Sequence, residues 1–193
     1  MRVAGDLMGK LENTFSTNDA VCTPAAVYEP IIAALGPIGL DPFSNPSSTV
    51  PATLRIMLPQ YAANRVAPGL WGFDPHGGSI LWGSAYDHDW SGHGLVFANG
   101  PYSDCAMWAH QLWSPRGGDE AVGLFPVRTG ADWWQRWVAH SDAILFWRGR
   151  IHFVGHPHQA PFHSALSYIG PRADLFVEGM QHLGWCVRNP RAW

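Results

Sequence analysis

The chain has 193 residues, 47% of them hydrophobic and 14% charged, with a formal net charge of −3. Such a length and composition fit one globular domain with a sizeable core and exclude a disordered chain. The negative balance excludes a protein held on nucleic acid by overall charge, so any contact with such a partner has to be local. No apolar run approaches the roughly 18 residues that a membrane span needs. The opening MRVAGDLMGK lacks the apolar core of a signal peptide. The expectation is a cytoplasmic protein with no membrane partner. Cys22, Cys105 and Cys186 are scattered without a Cys-x-x-Cys pair, which points to core thiols and away from a disulfide framework or zinc site.

Residues 1–19 are polar and pattern-poor and are expected to form a loose leader before a domain spanning 20–193. Thr23-Pro24 opens AAVYEPIIAAL, whose apolar residues recur at helical spacing. Pro24 suits the first turn of a helix and Thr23 its cap, with Gly36-Pro37 as the stop. Pro30 falls inside this run. Ile38-Gly39-Leu40 reads as a strand. Residues 47–90 are rich in Gly, Pro, Ser and Trp and read as long loops with one short strand at Ser79–Trp82. Strands are expected at Gly94–Ala98, Ala121–Pro126, Ala143–Trp147, Arg150–Val154, Ser164–Ile169 and Trp185–Val187. Helices are expected at Cys105–Trp113, Ala131–His140 and Ala173–Leu183. The alternation predicts an α/β domain with a mostly parallel sheet. Trp133, Trp134 and Trp137, three of the eleven tryptophans, sit at helical spacing and read as packing residues.

In open α/β sheets ligands bind beyond the carboxyl ends of the strands. Two loops leave apolar strands with a polar residue beside proline: Asp41-Pro42-Phe43-Ser44-Asn45 and Asn99-Gly100-Pro101-Tyr102. On a parallel sheet both project to one edge, bringing a carboxylate, two amides and an aromatic ring around one crevice. That set suits an aromatic exocyclic amine, a poor nucleophile. Two acceptors facing its N–H groups favour the form in which charge builds on nitrogen. Asn99 Oδ1 and the carbonyl of Gly100 or Pro101 fit that role, and Tyr102 fits stacking on a base extruded from its duplex. Taken alone, each stretch also reads as an ordinary turn, and Asp41 as a strand-end Asx turn.

The chain resembles the Dam-type phage DNA N-6-adenine methyltransferases. The resemblance rests on pieces in one order: Thr23-Pro24, Asp41-Pro42-Phe43-Ser44-Asn45, Trp90-Ser91-Gly92, Asn99-Gly100-Pro101-Tyr102-Ser103, Gly149-Arg150-Ile151-His152-Phe153, and the segment from Pro161 through Ser164 to Gly170. It implies a single-domain Rossmann-like sheet with helices on both faces and S-adenosyl-L-methionine as cofactor. It also implies DNA as partner, no metal, and a phage-borne gene acting in a bacterial host, as in restriction–modification. The implied cofactor residues are Thr23, Pro24, Asp41, Pro42, Phe43 and Asn45; the implied catalytic loop is Asn99, Gly100, Pro101 and Tyr102. Ser103, Arg128 and Arg150 are the expected DNA contacts, with Arg136, Arg148 and Arg172 as further basic candidates. The chain departs from the family in Gly100, where proline is usual, and in Val21-Cys22, where an aromatic residue precedes the Thr-Pro. On the loop alone, Gly100→Pro is expected to preserve or raise activity.

Other readings stay open. An N4-cytosine target is chemically close, and a relative that binds nucleotide or DNA without methyl transfer would account for both departures. His152, His156, His158 and His163, or Asp87, His88, Asp89 and His93, would serve a metal-dependent hydrolase. Neither group has a familiar ligand spacing, and solvated loop histidines are the plainer expectation.

Overall fold

In a computed structural model, residues 21–62, 67–74, 77–114 and 119–189 are described. The expected leader lies outside them. The described residues build a nine-stranded sheet in the order β3-β4-β2-β1-β5-β6-β8-β7-β9. Its strands are β1 (Ile38–Asp41), β2 (Ala52–Met57), β3 (Trp71–Phe73), β4 (Ser79–Trp82), β5 (Leu95–Ala98), β6 (Glu120–Pro126), β7 (Ala143–Trp147), β8 (Ser164–Ile169) and β9 (Gly184–Arg188).

Strands β4, β2, β1, β5 and β6 are parallel. β3, β8, β7 and β9 pair antiparallel. The sheet is therefore mixed, and the expectation of a mostly parallel sheet is corrected. The antiparallel half arises because β7 returns to β8 through a loop and not a crossover helix. Within the parallel half the chain moves outward from β1 to β2 and β4, then crosses back to β5 and β6. The order reverses between β1 and β5. A crevice opens at the carboxyl ends of the strands flanking such a reversal. At the opposite, amino ends the chain before β5 lies tight against β1, and at Gly39 a Cβ would lie 1.6 Å from the His93 carbonyl oxygen.

Among the described residues four α-helices cover both faces: α1 (Ala25–Leu35), α2 (Cys105–Trp113), α3 (Asp132–Arg136) and α4 (Ala173–Met180). Alternation along the strands splits the core in two. Leu95, Phe97, Val122 and Leu124 pack with Val27, Ile31 and Phe176 of α1 and α4. Val96, Ala98 and Phe125 pack with Trp108, Leu112 and Trp134 of α2 and α3. At the amino edge, the Arg172 guanidinium donates to both oxygens of Glu120 and to the Leu35 carbonyl. Tyr168 donates its hydroxyl to the same carboxylate. Burial alone would raise the Glu120 pKa, but these bonds outweigh it and hold the group below its ordinary value. Arg172 is thus tied into the structure on the edge opposite the crevice.

Several expected elements shift. β2 and β3 were missed within the stretch 47–90. Arg55 interrupts the apolar pattern of β2, and Gly72 divides a three-residue β3. Arg55 is buried because its guanidinium meets Asp74 at 2.8 Å and donates to the carbonyls of Ser48 and Val50. The tryptophan-rich helix stops at Arg136; Trp137 leaves helical geometry before a 3-10 turn at Val138–His140. Of its three tryptophans, Trp134 is buried in the core. Arg150–Val154 is no strand; its ladder contact is one bridge between Val154 and Cys22. α4 ends at Met180 and continues as a 3-10 turn through Leu183. Cys22, Cys105 and Cys186 are free thiols. No helix among the described residues is long and apolar enough to cross a membrane.

Candidate functional site

The loops after β1 and β5 flank the reversal point. Asp41 closes β1 and is buried. Its Oδ1 accepts the Phe43 amide at 3.2 Å, so the loop does open with an Asx turn. Burial pushes its carboxyl up to about 6, against the opposing pull of the Phe43 amide, Arg55 and nearby serines. Asn45 turns the chain onward: its Oδ1 accepts from the Ser47 amide at 2.9 Å and from the Cys22 thiol at 3.4 Å. Arg55 props the far end of this loop through the Ser48 and Val50 carbonyls. Pro42 is buried. The Phe43 ring turns under the loop, edge-on to Tyr86, Trp90 and Trp108.

Asn99 follows β5 immediately. Its Nδ2 donates to Thr23 Oγ1 at 3.0 Å. Thr23 is therefore not the cap of α1; Pro24 takes the cap position, with no side-chain bond. The Asn99 Oδ1 accepts the Tyr102 hydroxyl at 3.0 Å. The Tyr102 ring stands edge-on to Phe162 at 5.0 Å and to Phe153 at 6.1 Å between centroids. Burial drives its phenol well above the ordinary tyrosine value, so it stays a neutral donor. Of the two carbonyls considered as partners for an amine, that of Pro101 is taken: the Asp104 amide and Trp108 Nε1 both donate to it, at 3.0 and 3.1 Å. That leaves the Gly100 carbonyl as the candidate partner.

Gly100 has no unusual φ. It is glycine because there is no room: a Cβ would lie 2.9 Å from Phe43 Cε2 and from Trp108 Cδ1 and Nε1. Trp108 cannot retreat, since it stacks on Phe125 with centroids 3.9 Å apart. This crowding weighs against the expectation that Gly100→Pro preserves or raises activity. The Phe43 and Trp108 rings occupy the space a side chain would need.

The structure thus joins Thr23, Asn45, Asn99 and Tyr102 through Cys22 and the hydroxyl bonds. Ser103, Arg128 and Arg150 are exposed and lie in loops on the same carboxyl edge. Sequence reasoning missed Cys22, Phe153 and Phe162. The last two lie in segments noted for their resemblance, but nothing in the sequence says that both rings face Tyr102. His152 and His163 each place a ring nitrogen on a backbone carbonyl, those of His156 and Gly149. Among the described residues no three His, Cys, Asp or Glu side chains are grouped to hold a metal ion.

Residues 83–166 match the model of a family described as DNA N-6-adenine-methyltransferase (Dam). The match takes in Asn99–Ser103, Arg128, Arg150, Phe153 and Phe162, and stops short of Thr23-Pro24 and Asp41–Asn45. No curated protein matches the chain.

Proposed function

From the match of residues 83–166 to the DNA N-6-adenine-methyltransferase (Dam) family, we propose that the chain is an S-adenosyl-L-methionine-dependent DNA adenine N-6 methyltransferase acting on an extruded base. The reading treats residues 20–193 as one Rossmann-like catalytic domain working in the cytoplasm. The observation that carries it is the Asn99 carboxamide, set at the reversal point of the sheet and held on one side by Thr23 and on the other by Tyr102. Thr23 takes the amide nitrogen, which turns Oδ1 toward Tyr102, whose hydroxyl holds the place an incoming donor would take.

The residues fit the cofactor in chemical type. A buried carboxylate with pKa about 6 is mostly ionised at neutral pH and suits hydroxyl donors, and the Asn45 amide stands beside it. Thr23, Pro24, Asp41, Pro42 and Asn45 would line its seat, with Phe43 supporting from below. When bound, the cofactor supplies a methyl group made electrophilic by a positive sulfur. Asn99 Oδ1 and the Gly100 carbonyl accept the two N–H bonds of the amine and steady the charge that grows on nitrogen. The cofactor would thus give its methyl to the amine nitrogen and leave as the neutral thioether. The amine then gives up one proton to water. Tyr102 must surrender Oδ1 as the amine arrives; its freed ring then stacks on the base.

A second reading has its own observation. Tyr102 fills Asn99 Oδ1 and is flanked by two phenylalanines, as a relative that binds without transferring methyl would be. One experiment separates the two. The protein is incubated with S-adenosyl-L-methionine and methyl-free DNA, and digested nucleosides are weighed for N-6-methyladenine. A product lost in Asn99→Ala supports the transferase. Absence of product on duplex and single-stranded DNA of varied sequence supports the binding-only relative.

A further inference from the structure

The carboxyl rim of the sheet is electrically divided, and the division says where the DNA backbone runs. On the β4–β5 side the rim is acidic. Asp87 and Asp89 are exposed in the loop after β4, and Asp104 follows β5 and accepts the Tyr86 hydroxyl at 2.8 Å. On the β6–β7 side it is basic. Arg128 follows β6, and Arg148 and Arg150 follow β7; all three are exposed. None forms an ion pair with a described residue. From residue 143 to 173 the sequence has no Asp or Glu, although the chain carries 15 acids. That run includes Arg148, Arg150, His152, His156, His158 and His163. Between Glu120 and Asp142 the one acid is Asp132, in the first turn of α3.

The geometry makes residues 148–163 a strap across this side of the rim. β7 and β8 are antiparallel, so the strap leaves and re-enters the sheet at the same edge. It is tied down along its length. The Val154 amide donates to the Cys22 carbonyl at 3.0 Å, the Ala160 amide to Ile151 at 2.8 Å, and the Val127 amide to His163 at 2.8 Å. Phe153 and Phe162 reach inward from it onto Tyr102. Phe153 and Phe162 thus face the candidate site, while Arg148, Arg150, His152, His158 and His163 are exposed.

We infer that the strap 148–163, with Arg128, is a track for the DNA phosphate backbone, and that the strand carrying the target base crosses the β6–β7 side of the rim and not the β4–β5 side. The inference rests on DNA being the substrate, as proposed above. A backbone laid on this track passes beside Tyr102, within reach of a base turned inward. The guanidinium groups match phosphate geometry, and no carboxylate on the strap opposes them.

The test is the salt dependence of binding. A labelled unmethylated duplex is titrated with the full-length protein at several salt concentrations, and the slope of log K against log salt is measured. Each phosphate contact contributes about 0.9 to that slope on duplex DNA. Arg148→Gln/Arg150→Gln should lower it by about 2, and Arg128→Gln, in a separate loop, by about 1. Asp87→Asn/Asp89→Asn should leave it unchanged. Melting curves confirm that each variant is folded. A parent-like slope in both arginine variants, or an equal change in the aspartate variant, overturns the track while leaving the methyltransferase reading intact. If the parent protein binds no DNA at any salt, the DNA reading itself falls and takes the track with it.

Discussion

Gly100 offers a test in which backbone preference and packing give opposite answers. Its φ lies in a region open to any residue, so Gly100→Ala should be harmless or slightly stabilising if only chain flexibility mattered. The packing says otherwise. The added methyl would sit 2.9 Å from two aromatic rings, about an ångström inside ordinary contact. One ring, Trp108, is fully buried, donates to Pro101 and is stacked on Phe125. Overpacking of this kind costs about 1–3 kcal/mol. For a chain of 193 residues each kcal/mol lowers the melting temperature by about 2–4 °C, so a fall of about 2–12 °C is expected. Calorimetry on the purified variant measures it. Gly100→Pro adds further ring atoms and should fall at least as far, with loss of activity and not gain. Phe43→Ala/Gly100→Ala should be less destabilised than the sum of its single changes, because one collision is gone. A Gly100→Ala melting temperature equal to the parent's would refute the reasoning.

Three more outcomes are expected. Asp41, with its folded pKa raised to about 6 against an ordinary 3.8, favours the folded state only while it is protonated. Its contribution, about 3 kcal/mol, is therefore full below pH 4 and lost as pH rises through 6. Asp41→Asn should flatten the denaturant-measured stability across that window; an unchanged profile would show the shift to be absent. Arg55→Met strands the Asp74 carboxylate and should cost about 3–5 kcal/mol, with much of the loss recovered in Arg55→Met/Asp74→Leu. Chemical denaturation decides it, and a double variant no more stable than the single would contradict the pairing argument. Tyr102→Phe removes the hydroxyl from Asn99 but keeps the ring, so single-turnover methyl transfer should persist, whereas Tyr102→Ala should lose it while still binding cofactor. Equal loss in both would mean that the hydroxyl, and not the stacking face, is what the reaction needs.

What the sequence made legible was local. The Pro24 start and Gly36 stop of α1, the apolar run of β5 and the spacing of α2 are carried by neighbouring residues, and they appear as expected. Arg55 hid β2, because its partner Asp74 lies in a distant turn and only the pair makes the position apolar in effect. Thr23 illustrates the same limit. Beside Pro24 it reads as a helix cap, yet its hydroxyl serves Asn99 from across the crevice. Gly100 looked like lost rigidity because the rings that exclude a side chain come from Phe43 and Trp108. The candidate loops could be named from the sequence; which atoms they direct inward depended on contacts between segments far apart in the chain.

Those long-range contacts also set an order in time. The Asn99 amide is secured by a residue made early, Thr23, but Tyr102 is cradled by Phe153 and Phe162, which leave the ribosome after most of the chain. An unfinished polypeptide can lay down the first parallel strands and the loop after β1, yet its second loop has no cradle until the strap emerges. Pairings of such separation form slowly and late. Assembly of the crevice is thus deferred until the strap has emerged, and a nascent chain short of it would hold the two loops without the rings that cradle Tyr102.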